Sequence, residues 1–415
     1  MSTTIKQKPV VPELRFSGFS GELSKNKLGD IALVKRGAAS QHLTYTTKKD
    51  RGSIRLIRIN DFLSDKPAYV ELTEDMSKFT LQKNDLLIAG TGATAGIVFI
   101  VPDAFVGLAY SYNAPRIRVN KNVNHRYFYE YLKSEKILHQ QKRLFVGNAQ
   151  PFLDTDAIRS FVINLPELPE QQKIAEFLGS VDAWLDNLRG QKTALQSYKQ
   201  GMMQKLFTAQ VRFKDEAGRN YPEWQEVSMS DIGGSFGGLS GKSGDDFGQG
   251  ESFITYKQIF DDSIIEPEKF AQVTVAPGEK QNRAQKGDVF FTVSSETPNE
   301  VGYASVLMED VNPYLNSFAF GFRPKSITDL LPEYSRYHFR SAPFRRQVVR
   351  LAQGSTRYNI SKVQFMKLVI EIPPPGEQQK IADFLTALDQ TITAKADEIT
   401  KVEEWKKGLM QKMFV

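Results

Sequence analysis

The stretch GGLSGKS at 237–243 carries the glycines and the lysine of a phosphate-binding loop, in which backbone N–H groups cradle phosphates and the lysine reaches their terminal oxygens. That spacing demands a glycine at 236, where the chain has Phe236. No clear strand leads in and no apolar run ending in an acid supplies a magnesium ligand, so a flexible glycine loop is the better reading. An adenine methyltransferase would need an Asn/Asp-Pro-Pro-aromatic turn to hold a flipped base. The only proline run is IPPPG at 372–376. Glu404-Trp405-Lys406 has part of the spacing of a magnesium nuclease, but it falls on a helix face, and no serine stands in a nucleophile-elbow context. With no cysteine there is neither a disulfide framework nor a thiolate metal site, and His42, His125, His139 and His338 show no ligand spacing. The chain reads as non-catalytic, with no metal site and no cofactor of its own.

Recognition is the chemistry that remains. Lysine and arginine outnumber the acids 54 to 48, giving +6 and a pI near 9.1, a balance that permits contact with a polyanion. Loop residues with suitable donors are Lys35, Arg36, Gln41, Thr91, Thr94, Asn113, Asn148 and Gln150 in the first half. In the second half they are Lys242, Lys257, Gln258, Ser295, Asn316, Arg357, Tyr358 and Asn359. Arginine suits guanine, and Asn or Gln suits adenine, through bidentate geometry, whereas lysine mostly holds phosphates. Taken singly, each is also an ordinary solvated surface group.

What must position these loops is a design written twice. EQQKIAEFLGSVD at 170–182 returns as EQQKIADFLTALD at 377–389, with nine of thirteen positions identical. GMMQKLF at 201–207 returns as GLMQKMF at 408–414, and the segment opening GNAQPFL at Gly147 aligns with GSTRYNIS at Gly354, all at one 207-residue offset. Upstream the offset drifts, pairing Asp85 with Asp288 and Arg15-Phe16 with Arg212-Phe213. Each half is therefore a variable body followed by a nearly fixed tail.

The tails have helical periodicity. With Ile174 at heptad position a, the first places Ile174, Val181, Leu188, Leu195 and Met202 at a, with Phe177, Trp184 and Tyr198 at d. Leu178, Leu185 and Leu206 widen that stripe. The second places Ile381, Leu388, Val402 and Leu409 at a, with Phe384 and Trp405 at d. Pro169 and the run Pro373-Pro374-Pro375 mark where each helix begins. A helix of 38 residues runs roughly 57 Å, and two such helices with narrow seams bury them most simply against each other. The bodies read as strands joined by polar loops, among them IRLIRI, LLIAG, IVFIV, PRIRV, VFFTV and FAFGF. A helix over 126–144 matches 333–351, where Pro343 is expected to break it.

The expected fold class is α/β (α+β), with two pseudo-repeated globular domains separated by two long helices that form an antiparallel coiled coil. The expected domains are 1–168, with an N-terminal arm; 169–207, the central helix; 208–373; and 374–415, the C-terminal helix. MSTTIKQKPVVPEL lacks the apolar core of a signal peptide, and LLIAGTGATAGIVFIVP at 86–102 reads as strand, loop, strand rather than a membrane span. The cytoplasm is the expected location. Two similar heads on paired helices suit duplex DNA, where sites about one turn apart, roughly 34–36 Å, present the same face. Differing bodies would read differing half-sites.

Variable bodies alternating with repeated helices, each introduced by a proline-marked strand end and EQQKIA-FL, together with the GNAQPFL and GSTRYNIS loops, resemble the specificity subunit of Type I restriction-modification enzymes. The resemblance covers nearly the whole chain. It implies two target-recognition domains and a coiled-coil spacer binding a split, asymmetric DNA sequence. It also implies two methyltransferase subunits using S-adenosylmethionine on adenine, and two restriction/translocase subunits using ATP and Mg. GSTRYNIS fits the family pattern more closely than GNAQPFL. Two readings from other classes stay open on the residues alone: a structural adaptor whose coil binds proteins, and a self-contained DNA-binding repressor.

Overall fold

The repeated EQQ has a structural cause that the bonds around it make plain. Glu170 is buried and takes a two-pronged ion pair from Arg15, Nε to Oε1 and Nη2 to Oε2, both 2.7 Å. Glu377 is buried likewise and takes Arg212 at 3.2 and 2.9 Å, with the Trp224 indole N–H at 3.0 Å. The next glutamine staples its helix start to the body. Gln171 accepts from the Asn124 N–H and donates to the Pro166 carbonyl, and Gln378 accepts from the Leu331 N–H and donates to the Pro373 carbonyl. Buried charge and amide tolerate little variation once every partner is spoken for, so these positions repeat while the surrounding bodies diverge.

The computed structural model describes residues 11–39, 41, 43–46, 52–63, 66–71, 73–145 and 151–415. Two compact units divide the chain, Met1–Arg189 with Asp397–Val415, and Gly190–Ala396. In the first, an antiparallel sheet runs in the order Ala32–Lys35, Arg116–Val119, Leu86–Ile88, Val98–Ile100. A second sheet orders Tyr45–Thr46, Ala68–Glu71, Ser53–Ile57 and Ala109–Tyr110. Val34, Leu86 and Ile117 of the first sheet bury against Tyr127, Phe128 and Tyr131, and against Ile174, Leu178 and Phe414. The segment 86–102 is the strand, loop and strand expected, with Leu86 facing Ile100, and among the described residues no helix is long and apolar enough to cross a membrane.

The second unit repeats the plan. Gly233–Gly237, Ala319–Pro324, Val289–Thr292, Ala304–Leu307 and Ile264–Ile265 form a five-stranded sheet. Its core joins Phe291, Phe320 and Phe322 to Tyr334, Phe339, Phe344 and Phe365, and to Leu206, Phe207, Ile381 and Leu385 of the long helices. All six apolar runs read from the sequence contribute strands.

Two expectations need correction. The helix over 126–144 is two helices, His125–Leu132 and Glu135–Phe145, and its counterpart is Pro332–His338 and Ala342–Val349. The first copy breaks without a proline, so Pro343 is not the cause. Ser341, with Ser134 at the equivalent place, sits at the break, and the Ser341 hydroxyl accepts from the Phe344 N–H as helix-starting serines do.

The seam of the long helices, Leu168–Leu206 and Pro375–Met413, also differs by one residue at every second position. Ile174, Val181 and Leu188 are buried as expected, but Leu178 and Leu185 fill the alternate places. Phe177 is displaced to the flank, against Phe16 and Trp405, and Trp184 is 45% exposed. In the second helix the alternate places go to Leu385 and Lys406 rather than Phe384 and Trp405, the latter 47% exposed. A γ-branched side chain fits the hole between four facing residues, whereas an indole spans the seam's edge. Val402 closes the seam of the first unit on Val181, Leu185 and Leu188, antiparallel to them. Within the second unit Tyr198 packs on Phe384, and Leu195, Leu388 and Met202 are half-buried. Leu409 is half-buried against the first core.

Lysine at a seam position is paid for by partners repeated in both units. Lys406 meets Asp182 at 2.7 Å and the buried Glu130 at 3.0 Å, and Lys199, its counterpart, meets Asp389 at 2.5 Å.

Candidate nucleic-acid interface

In the first unit the sheet strand Leu86–Ile88 runs into a loop whose Thr91 forms a β-bridge to Phe152, secured by Gly92 N–H to the Pro151 carbonyl at 3.1 Å and Leu153 N–H to the Gly90 carbonyl at 2.8 Å. This brings the loop after one strand against the loop that precedes the long helix. Arg36, just past Ala32–Lys35, lies between two aromatic rings, its guanidinium carbon 4.2 Å from the Tyr112 centroid and 5.1 Å from that of Phe152. Stacking of this kind holds the guanidinium plane without consuming its donors, and one of its terminal nitrogens is buried with no hydrogen-bond partner among the described residues. Thr91, Thr94, Asn113 and Tyr112 line a cleft of about 320 Å³ with Tyr45, Asn60 and Arg58. Lys35 is exposed on its strand opposite Arg116, and Gln41 is exposed nearby in the chain. Asn148 and Gln150 lie outside the described residues.

The second unit assembles the same pair of segments. Ser294 faces Asn359 and Ser295 faces Tyr358 in a short antiparallel ladder. The loop before it closes tightly, with Gln353 and Asn359 exchanging both backbone hydrogen bonds at 3.0 and 2.8 Å. Gly354 has φ +135°, and a Cβ there would stand 2.0 Å from the Arg357 carbonyl oxygen, so only glycine closes this turn. A cleft of about 440 Å³ is lined by Ser295, Arg357, Tyr256, Phe260, Phe318 and the acids Glu296 and Glu300. Hydrogen bonds from Thr297 and Ser295 hold the Glu300 carboxyl below its ordinary range. The Asn316 side chain accepts from the Phe318 N–H at 2.8 Å, shaping the turn that leaves Phe318 58% exposed.

Three further candidates stand apart from this cleft. Gln258 is a correction. It is 6% exposed and donates to the Glu266 carbonyl at 3.2 Å, because the short helix Tyr256–Asp261 turns Gln258 and Ile259 inward together. Lys242 is another. Its side chain is 8% exposed and bound to Glu279 at 2.6 Å, and that contact, with Gln281 and the Ala276 N–H, pulls the Glu279 carboxyl down to about 2. A cation so committed is not available to a phosphate, and its loop offers no nucleotide cradle. Lys257 is exposed and paired with Asp261 one helical turn on.

Sequence reasoning missed the aromatic members, Tyr45, Tyr112 and Phe152 in one unit and Tyr256 and Phe318 in the other, and the carboxylate of Glu296. The available signal was an aromatic beside a polar loop residue, as in SYN at 111–113 and NSF at 316–318; which of them stay exposed is decided only by packing.

Among the described residues no cluster of acids and histidines could hold a metal ion. The family described as Type I restriction modification DNA specificity domain matches residues 22–197 and again 222–404. The chain belongs to this family. One copy of the specificity domain falls on each half, as the internal repeat requires. The Type I restriction enzyme MjaVIII specificity subunit of Methanocaldococcus jannaschii is 24% identical over 356 residues, covering 82% of this chain and 80% of the relative. The putative MjaX specificity subunit of the same organism is 26% identical over 416 residues, covering 92% and 91%. Among solved structures, a chain of a type I R-M system studied for complex assembly and conformational transition superposes with a TM-score of 0.61 at 18% identity, covering 95% of this chain and 99% of that one. The S subunit from M. genitalium gives 0.51 at 14%, covering 98% and 99%. These structures share the fold of two specificity domains with long helices.

Proposed function

We propose that the chain is the target-reading subunit of a Type I restriction-modification assembly and that it acts in the cytoplasm on double-stranded DNA. It binds a split, asymmetric sequence, each unit reading one half-site. Two methyltransferase subunits using S-adenosylmethionine on adenine, and two restriction/translocase subunits using ATP and Mg, carry out the chemistry it directs. The observation that carries this reading is a pair of loop clefts of common construction and unlike lining. One is built on the Thr91–Phe152 bridge and the other on the Ser294–Asn359 ladder, with Asn113 and Tyr112, the latter stacked on Arg36, in the first and Arg357, Glu296 and Phe318 in the second. Shared framework with divergent donors and acceptors is what reading two different base sequences requires. The repeated helices, with aromatic side chains left exposed at Trp184, Trp405 and Tyr198, supply spacer and partner-binding surface in this reading.

Co-expression with the neighbouring methyltransferase in a host free of adenine methylation, followed by genome-wide mapping of N6-methyladenine, tests it. One split, asymmetric motif is expected, lost when either unit is deleted. Absence of any motif from folded, associated proteins would refute it.

A further inference from the structure

The short ladder of the second unit is flanked at one end by two residues of opposite charge. Ser294 faces Asn359 and Ser295 faces Tyr358, and Glu296 and Arg357 are the residues that follow and precede the paired positions at the same end of the ladder. Both are exposed, and among the described residues neither side chain enters a salt bridge or hydrogen bond. Both line the same cleft, beside Ser295 and the exposed ring of Phe318. The backbone that presents Arg357 is fixed by the Gln353–Asn359 bonds and by the close approach of Gly354 to the Arg357 carbonyl.

A phosphate contact accounts poorly for this pair, because a carboxylate in the arginine's own cleft repels the phosphate it would hold. A base edge accounts for both. In the major groove a G·C pair offers two adjacent acceptors, guanine N7 and O6, next to one donor, cytosine N4–H. An A·T pair offers acceptor, donor, acceptor, which no arginine fork matches with two bonds. We infer that Arg357 and Glu296 together read one G·C pair in the half-site bound by the second unit. Arg357 donates to guanine O6 and N7, and Glu296 accepts from cytosine N4. The inference rests on the DNA-reading function proposed above and names the specificity-determining residues of one of its sites.

The test is the methylation map of the full chain with its methyltransferase, wild type against Glu296→Ala and Arg357→Lys. Lysine keeps the charge but not the planar fork. The wild-type motif is expected to contain a fixed G·C position that both variants relax, at that one position, by roughly tenfold or more in the ratio of G·C to other sites methylated. An unchanged motif in Arg357→Lys would make the residue a phosphate contact and overturn the inference. Relaxation at an A·T position, or at two different positions, would overturn it too. Should a variant abolish methylation, binding of the complex to duplexes differing only at that base pair decides: lost preference for G·C supports the pair, and retained preference overturns it. A wild-type complex that methylates no motif would instead bring down the DNA-reading function itself, a failure distinguishable from unchanged variants of an active complex.

Discussion

His338 lies in the core of the second unit at 6% exposure, its ring near-parallel to Tyr334 at 5.3 Å and edge-on to Phe339 and Phe207. Burial pushes its imidazole down to about 3. The same ring titrates near 6.5 in an unfolded chain, so between those values the unfolded state takes up a proton that the folded state refuses. Stability from this group is complete above about pH 6.5 and falls as pH drops toward 3. Through the linkage relation the loss amounts to about 2 kcal/mol between pH 7 and pH 5. Replacing His338 with Phe, a ring of similar shape among aromatic neighbours, removes that proton site. It also takes the hydrogen-bond partner from the Tyr334 hydroxyl, 2.9 Å from Nδ1, at a cost of about 1–3 kcal/mol that does not vary with pH in this range. Urea unfolding of the full chain and of His338→Phe at pH 7 and pH 5, followed by circular dichroism, separates the two effects. The variant is expected to be the less stable protein at pH 7 and to recover about 2 kcal/mol of the difference at pH 5. An equal gap at both pH values would refute the reasoning.

The buried carboxylate of Asp288 takes Arg323 Nε and Nη2 at 2.8 and 2.7 Å and the Gln285 N–H at 2.8 Å. Arg323→Met leaves it only the backbone bond, and since the guanidinium is 38% exposed the expected loss is discounted to about 2 kcal/mol, measured by urea unfolding; a change under about 0.5 kcal/mol would contradict it. Burial is the larger influence on Asp288 and raises its pKa, so the folded state holds its proton more firmly and the Arg323→Met deficit should shrink as pH falls and the carboxylate is neutralised. Gly354→Ala forces a Cβ onto the Arg357 carbonyl, at about 1–3 kcal/mol of local strain, and is expected to erase the second unit's half-site from the methylation motif while the first half-site persists. Lys406→Met leaves Glu130 with Lys133 alone and takes the lysine from the part-exposed Asp182, for an expected loss discounted to about 1–2 kcal/mol; limited proteolysis should detect early release of 397–415, and resistance equal to wild type would argue against the seam lysine's role.

The family, the mixed fold and the two-domain plan were legible in the sequence because they rest on repetition and period. Duplicated EQQ segments, heptad spacing and short apolar runs are local patterns, and each corresponds to an observed element. Ile174, Val181 and Leu188 fell where a seven-residue period puts them. The one-residue error at Phe177 and Trp184 has a steric origin: hydropathy ranks an indole with a leucine, whereas the hole facing a seam admits the leucine and leaves the ring at the edge. Lys406, polar by any scale, takes a seam position because Asp182 and Glu130 meet it there, and those partners are distant in the chain.

The candidate recognition loops were legible only as loops. Thr91 and Asn113 line the cleft of one unit and Ser295 and Arg357 that of the other, while Gln258 and Lys242, chosen on the same chemical grounds, are buried or bound. Residue type states which hydrogen bonds a side chain makes; whether a neighbour has already taken them is a property of the fold. The sequence by itself determined that the chain carries two copies of one design and lacks the motifs of the catalysts considered. Only the tertiary structure decided which donors and acceptors stay open, because a bond between Lys242 and Glu279, or its absence between Glu296 and Arg357, depends on how strands align and not on what either residue is.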